Sequence, residues 1–312
     1  MEKRLQKPAV VCLLALICCA LWGSAFPCIK VGYEWFKIEG TGSQILFAGY
    51  RFFLAGVLTF VFGCILEKRF LTMKRSSVPY ILRQGLLQTT VQYFFFYVGL
   101  ANTTGTKGSI INASNAFVSI VAAHFMIRSE RMTWKKGIGC LLGLAGVIVI
   151  NLAPGAWGTG FSLKGEGMVF ICTVAYGVST VVLKIISDKE SPMTITSYQI
   201  LFGSTLLILI GVLLGGHVGG FTVKSTILLI YMALISAVAF SLWTLLLKYN
   251  PVGKVAIYGF TIPVFGVVLS AIFLGEQVVS LKNLSALILV SVGILIVNST
   301  KAGTKNQTVR SE

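Results

Sequence analysis

Apolar residues in this chain come in long runs separated by short polar punctuation, and run length is the first informative quantity. A hydrocarbon layer about 30 Å thick takes roughly 20 helical residues at 1.5 Å each. On that measure ten runs are predicted as membrane-spanning helices: Ala9–Val31, Ser43–Leu66, Pro79–Leu100, Lys107–Ile127, Trp134–Leu152, Gly165–Ile186, Met193–Leu214, Ser225–Leu247, Val255–Leu274 and Asn283–Asn298. The fourth, fifth and tenth carry the weakest apolar signal. No connection between them is long enough to hold a soluble domain. The first run follows Lys3, Arg4 and Lys7 as a signal peptide would. It continues through Trp22, Phe26 and Pro27 without a small-residue cleavage site, so it is read as a helix.

Composition agrees with that pattern. Of 312 residues, 55% are apolar and 12% charged, and mean hydropathy is +0.86. Soluble chains carry about 25% charged residues, so a water-facing surface could not be covered. The seven cysteines, Cys12, Cys18, Cys19, Cys28, Cys64, Cys140 and Cys172, all sit in apolar stretches. They form neither a disulfide framework nor a metal-like spacing and behave as small hydrophobes.

Charge changes the picture further. The formal net charge is +16, from 26 Lys and Arg against 10 Asp and Glu. Sorted by loop with the N-terminus inside, the clusters at residues 3–7, 68–75, 128–136, 184–189, 248–254 and 301–310 fall on one side. Single lysines, Lys37, Lys107, Lys164, Lys224 and Lys282, fall on the other. Such an excess marks the cytoplasmic face. The expected protein is therefore multi-pass in the cell (plasma or inner) membrane, with both termini cytoplasmic, a lipid bilayer around it and no nucleic-acid partner.

The two halves of the chain match. Trp22-Gly23-Ser24 and Lys30 correspond to Tyr176-Gly177-Val178 and Lys184 at an offset of 154; Tyr50-Arg51 corresponds to Tyr198-Gln199 at 148. Residues 97–130 correspond to 243–276 at 146, and the GVIVIN ending at Asn151 to the GILIVN ending at Asn298 at 147. Each half, 1–152 and 153–312, holds five spans. An odd number per half places the second half upside down, the architecture of secondary transporters with a site at the midplane between repeats. The expected fold is thus all-α, ten spans in an inverted 5+5 repeat.

Several stretches carry a resemblance. They are LWGSAFPCIKVG in the first span, YRFFLAG in the second, and TIPVFGVVLSAIFLGEQV from Thr261 to Val278. Together they resemble the ten-span EamA-type branch of the drug/metabolite transporter superfamily, over Ala9 to Asn298. The first-half counterpart, Asn115 to Met132, keeps Glu130 but has Phe117 where Pro263 stands and Arg128-Ser129 where Leu-Gly stands. The resemblance implies export of amino acids or other small metabolites and does not specify the substrate.

Polar groups inside spans need a partner or a water-filled cavity, and a buried cation costs at least a few kcal/mol. Arg51 is the clearest case: an anchor for a carboxylate through its planar fork, or a structural group bonded to carbonyls of a neighbouring helix. Gln199 is its neutral counterpart in the repeat. Trp22 and Ser24, with Tyr176 and Ser179, lie mid-span at repeat-related points near Gly23, Gly177 and the hinge candidate Pro27. Gln88 and Gln92 share a helical face, with Tyr93 on the flank. Asn112 and Asn115, then Tyr258 and Thr261 ahead of the second hinge candidate Pro263, do likewise; Trp243 is a weaker candidate. His124, the one histidine within a span, could carry a coupling proton, although it sits near a helix end where packing roles are common.

Absences narrow the function. All ten acids, Glu130 and Glu276 among them, fall in loops, termini or span ends. No midplane carboxylate exists to hold a strongly cationic drug. Glu130 and Glu276 are expected to stabilise the helices that follow them through the helix dipole. No HExxH or Walker pattern occurs, so no catalytic residue, metal or cofactor is expected and an enzyme is disfavoured. A channel would show a charge ring or filter. A nucleotide-sugar, sugar-phosphate or drug transporter of the same superfamily is the alternative. The leading expectation is a monomeric carrier of a small amino-acid-like or neutral solute. Gly139-xxx-Gly143 is expected to pack within the chain.

Overall fold

The computed structural model of the chain describes residues 2–103, 111–151, 162–274 and 281–299, and every regular element among them is helical. After one turn at Glu2–Leu5 come ten rods: α1 Pro8–Trp35, α2 Gly40–Glu67, α3 78–101, α4 Ile111–Met126 and α5 Trp134–Asn151. The second half gives α6 Leu163–Ile186, α7 Pro192–Leu213, α8 Val223–Tyr249, α9 252–274 and α10 Leu281–Asn298. They overlie the predicted runs to within about a turn. Lys107, Leu152 and Glu276 lie outside the described residues. Five rods, α1, α2, α6, α7 and α8, are long and apolar enough to cross a membrane.

Local chemistry sets the boundaries. Pro8 opens α1 at a position where a missing N–H costs nothing. Ser191 caps α7 by accepting the Thr194 N–H at 3.1 Å, and Thr222 with Ser225 forms a capping box on α8. Two rods are irregular inside. In α3 a π stretch, Leu86–Val91, separates Val78–Gly85 from Gln92–Ala101. In α9 a 3₁₀ stretch, Ile257–Thr261, precedes the helix that contains Pro263. Such interruptions free backbone groups and often mark functional hinges. The other hinge candidate, Pro27, lies within continuous α1.

Large apolar side chains point outward along most rods, among them Leu13, Ile65, Leu66, Leu213 and Ile227. An apolar exterior of this extent needs lipid rather than water against it. Two apolar cores lie inside. One gathers Val11, Ala15, Ile120, Leu183, Leu247 and Ile257; the other gathers Ile29, Phe47, Phe52, Tyr97, Leu207 and Phe240. Trp22 packs against both. All seven cysteines are free, and the Cys19 thiol donates to the Tyr258 carbonyl at 3.2 Å.

The packing partners come in matched pairs. Under the register of the repeat, α1 corresponds to α6, α2 to α7, α3 to α8, α4 to α9 and α5 to α10. The contacts α1 with α8, α1 with α9 and α2 with α8 are each accompanied by their counterparts, α6 with α3, α6 with α4 and α7 with α3. The two remaining major contacts, α2 with α7 and α5 with α10, join corresponding helices. Side-chain detail follows the same rule. A Cβ on Gly23 would lie 2.8 Å from Phe265 Cβ, and one on Gly177 would lie 2.7 Å from Val118 Cβ. Only glycine permits either approach, and the two pairs correspond to within one residue of the sequence register. Gly139 meets Gly293 and Val297 of α10, within the chain as expected.

One expectation is corrected. The Glu130 carboxylate does not serve the helix that follows it; it accepts the Val252 N–H at 2.8 Å and the Gly253 N–H at 3.2 Å. The first turn of α9 has orphan N–H groups, and Pro251 before it offers no side-chain acceptor. A buried carboxylate from a distant loop fills the vacancy in that turn's hydrogen bonding.

Candidate functional site

A cavity of about 70 Å³ opens between the two apolar cores, room for on the order of five water molecules. Its wall is built from helices of both halves. α1 contributes Trp22, Ala25 and Ile29, α2 contributes Arg51, and α3 contributes Gln92, Tyr93 and Phe96. Asn112 and Asn115 come from α4, Tyr176 from α6, Phe240 from α8 and Ile262 from α9.

Arg51 is buried at 3% exposure. Its Nε donates to the Met232 carbonyl at 3.3 Å and its Nη2 to Ser236 Oγ at 3.1 Å, both on α8. The guanidinium carbon lies 4.9 Å from the centre of the Phe52 ring. Among the described residues the ion pair found is Arg69 with Glu67 at the surface; Arg51 has no carboxylate partner. One side chain therefore both ties α2 to α8 and presents positive charge to the cavity. Structural and ligand-binding roles share the same geometry.

Aromatic rings shape the rest. Trp22 meets Tyr176 edge-on at 6.4 Å, Phe240 at 5.4 Å and Trp243 at 5.0 Å. Tyr93 lies over Phe52 at 4.1 Å, and Tyr97 continues the aromatic wall to Tyr33. The buried Nε1 of Trp22 and Oε1 of Gln92 have no protein partner. Buried donors and acceptors left in this state cost roughly 1–3 kcal/mol each, so a wall that carries them is suited to a polar guest. The lining combines one cation, two asparagines, a glutamine and several aromatic faces, with no acid. It suits a small solute bearing an anionic or uncharged polar group and an apolar part.

The predicted residues divide. Trp22, Arg51, Gln92, Tyr93, Asn112, Asn115 and Tyr176 meet at the cavity. Ser24 does not: its hydroxyl donates to the Leu21 carbonyl at 2.8 Å and lies 3.3 Å from Tyr231 Oη. Ser179 Oγ donates to the Tyr176 carbonyl and Thr261 Oγ1 to the Tyr258 carbonyl, both within their own helices. Trp243 stands behind Trp22, and Tyr258 is buried in the first core. Gln88 and Gln199 are buried away from the cavity wall. His124 Nδ1 accepts the Met132 N–H at 3.0 Å in the turn before α5, a structural bond remote from the lining.

The apolar lining, Ala25, Ile29, Phe96, Phe240 and Ile262, was not anticipated. Helical spacing from Trp22 to Ala25 and Ile29, and from Gln92 to Phe96, is the signal that reaches three of them. Phe240 and Ile262 carry no signal that separates them from ordinary core.

Comparison with known proteins adds the family. The model described as EamA-like transporter family matches residues 9–152 and again 163–299. The chain is similar to the uncharacterized transporter YetK of Bacillus subtilis, at 27% identity over 237 residues, 74% of this chain and 71% of that protein. It is similar to a probable amino-acid metabolite efflux pump of Salmonella typhimurium, at 24% identity over 296 residues, 91% of this chain and 93% of the pump. A protein solved by crystallography shares the fold with a TM-score of 0.77 at 17% identity, covering 92% of this chain and 96% of that one.

Proposed function

The chain belongs to the EamA-like transporter family, and on that premise we propose that it is a secondary carrier exporting a small metabolite, an amino acid or a related zwitterionic or neutral solute. Family membership makes it a membrane transporter and not an enzyme. The finer reading is ten spans in two inverted five-helix halves, residues 1–152 and 153–312, with both termini cytoplasmic in the plasma membrane. The matched helix contacts and the two separate stretches of family similarity support the halves. The loop lysines and arginines support the orientation. A single chain suffices, since the cavity wall is made of its own helices.

The observation that carries the proposal is the cavity: one buried guanidinium without an acid, set among amides and aromatic rings from both halves. A carboxylate entering beside Arg51 would be attracted by about 4 kcal/mol at 4 Å and an effective dielectric of 20. The amides of Asn112, Asn115 and Gln92 would take hydrogen bonds from an ammonium or donate them to uncharged groups. Alternating access then follows from rocking the halves about the cavity, with the tight contacts of Gly23 on α9 and Gly177 on α4 as matched pivots. A sugar phosphate would bring more negative charge than one cation balances.

The test is counterflow. Purified protein in liposomes is loaded with amino acids, purines or sugars, one class at a time, and uptake of the labelled solute is followed. Saturable exchange of amino acids is expected. Exchange of no metabolite would overturn the carrier reading, and unsaturable ion conductance would assign a channel instead.

A further inference from the structure

Four glutamines are buried on α3 and α7, Gln92 at the cavity wall and the others behind it. Gln84, Gln88 and Gln92 follow one another at four-residue steps along one face of α3, and Gln199 lies on α7 with its main chain against Gly85 of α3. Their exposures are 0%, 1%, 7% and 0%. Within the group, Gln84 Nε2 donates to Gln88 Oε1 at 2.8 Å and to the Ser179 carbonyl of α6 at 3.1 Å. Five amide atoms then remain without a partner: Gln84 Oε1, Gln88 Nε2, Gln92 Oε1 and both Nε2 and Oε1 of Gln199. A buried amide atom without a partner costs roughly 1–3 kcal/mol, which favours a state in which these atoms are met. Amides serving only to hold helices together would be bonded across them, and here one such bond, to Ser179, is found.

The backbone is arranged around the same place. A Cβ on Gly85 would lie 2.5 Å from the Gln199 carbonyl oxygen, so α3 and α7 touch main chain to main chain. The π stretch Leu86–Val91 begins at the next residue, and π insertions recur at functional sites. One end of the group lies at an opening. Gln92 reaches the central cavity. Eight residues earlier, about 12 Å along the helix, Gln84 stands near the start of α3. In the loops ahead of α3 and α7 a wider recess of about 450 Å³ is lined by Thr72 and Lys74 and by Asp188, Glu190 and Ser191.

We propose that Gln84, Gln88, Gln92 and Gln199 form a second binding station, an uncharged track between the central cavity and the recess at the starts of α3 and α7. It takes the uncharged hydrogen-bonding groups of a small solute, hydroxyls, amides and water, through two free donors and three free acceptors. This rests on the carrier reading and extends it, giving the solute a route that Arg51 does not touch. In the described conformation the track is closed, and its amides are met when it opens.

Thiol accessibility tests the track without knowledge of the substrate. Gln199→Cys and, separately, Gln88→Cys are made, with Ile200→Cys as the control; Ile200 neighbours Gln199 but lies in the second apolar core. Each purified protein is treated with the small water-soluble reagent methanethiosulfonate ethylammonium, and labelling at the new position is located by mass spectrometry. Thiols introduced on a hydrated track should label at least about tenfold faster than the thiol of the Ile200→Cys control, because thiol reactivity follows access and thiolate character. Labelling of folded Gln199→Cys and Gln88→Cys no faster than Ile200→Cys overturns the proposal. Should Gln199→Cys fail to fold, Gln88→Cys decides alone. Accessible cysteines in a protein that gives no counterflow would leave the track standing and remove the carrier; inert cysteines in a protein that exchanges solute would do the reverse.

Discussion

Arg51→Met tests whether one guanidinium combines the structural role with the proposed ligand role. Removing the side chain deletes two bonds to α8 and the contact with Phe52. Charged hydrogen bonds contribute roughly 1.5–3 kcal/mol each, and a partly buried cation–π contact about 1–2 kcal/mol. Opposing them is the desolvation of an unpaired buried cation, which costs several kcal/mol. The partners are not orphaned either, since Ser236 Oγ itself donates to the Met232 carbonyl at 3.2 Å. The balance predicts a folded protein whose stability falls by no more than about 2 kcal/mol, read as a shift of a few degrees in Tm. Solute binding should behave differently. Loss of a pair worth about 4 kcal/mol weakens a carboxylate-bearing solute by about two to three orders of magnitude, while uncharged solutes are affected little. The assay is half-saturation of counterflow for Arg51→Met beside the wild type, with melting in detergent as the control. An unchanged half-saturation for a carboxylate solute in a stable Arg51→Met protein refutes the ligand role. Aggregation of the variant makes Arg51 chiefly structural.

Three further outcomes follow from the packing. Glu130→Ala strips the acceptor from the Val252 and Gly253 N–H groups and should cost about 1–3 kcal/mol, seen as a lower Tm with the half-saturation of counterflow preserved; an unchanged Tm would dismiss the cap. Gly23→Val places Cβ 2.8 Å from Phe265 Cβ and should abolish a monodisperse peak in size-exclusion chromatography, as should Gly177→Val; normal elution of either would show that α1 and α9, or α6 and α4, can separate at no cost. His124→Ala removes the acceptor for the Met132 N–H, lowers stability by about 1–3 kcal/mol and leaves the pH profile of flux as it was. A flattened profile would restore the coupling role.

Much of the fold is written in run length, because lipid forbids an unpaired backbone and each span must be long and apolar. The proposed repeat fits the same constraint: Gly23 and Gly177 fall at corresponding sequence positions, and each lets another helix pass. Arg51 was legible through its cost. What stayed hidden is tertiary. Glu130 serves a helix more than a hundred residues away, and nothing in its neighbours says so. The π stretch in α3 contains no proline to announce it. Gln84 shares a face with Gln88 and Gln92, but it follows exposed Arg83 near the predicted start of the span, where a polar residue passes for an end group. Ser24, Ser179 and Thr261 were drawn to the site by position alone, whereas each hydroxyl is satisfied by a carbonyl three residues back.

The repeat also explains why Gln199 matters more than its burial suggests. In the sequence register, Arg51 corresponds to Gln199, and its two acceptors, Met232 and Ser236 on α8, correspond to Leu86 and Thr90 on α3. Thr90 Oγ1 donates to the Gly203 carbonyl at 3.0 Å and stays open as an acceptor, as Ser236 Oγ does while bonding Met232. A guanidinium at 199 would thus have, at the positions that correspond in register to Met232 and Ser236, a helix carbonyl and a hydroxyl with an acceptor site open. Gln199→Arg is therefore expected to fold, at a cost of about 2–4 kcal/mol for a second buried cation. Transport should fare worse. With a cation on each side of the midplane, a carboxylate gains about 4 kcal/mol in the second position as well. Its departure toward the recess slows by about two to three orders of magnitude, so counterflow of a carboxylate solute shows a lower maximal rate at a tighter half-saturation. Failure of Gln199→Arg to fold would refute the correspondence of the two sites. A normal maximal rate would place the route elsewhere. On the two-station proposal, a neutral amide opposite a charged guanidinium would let the carrier hold its solute at one station and release it at the other.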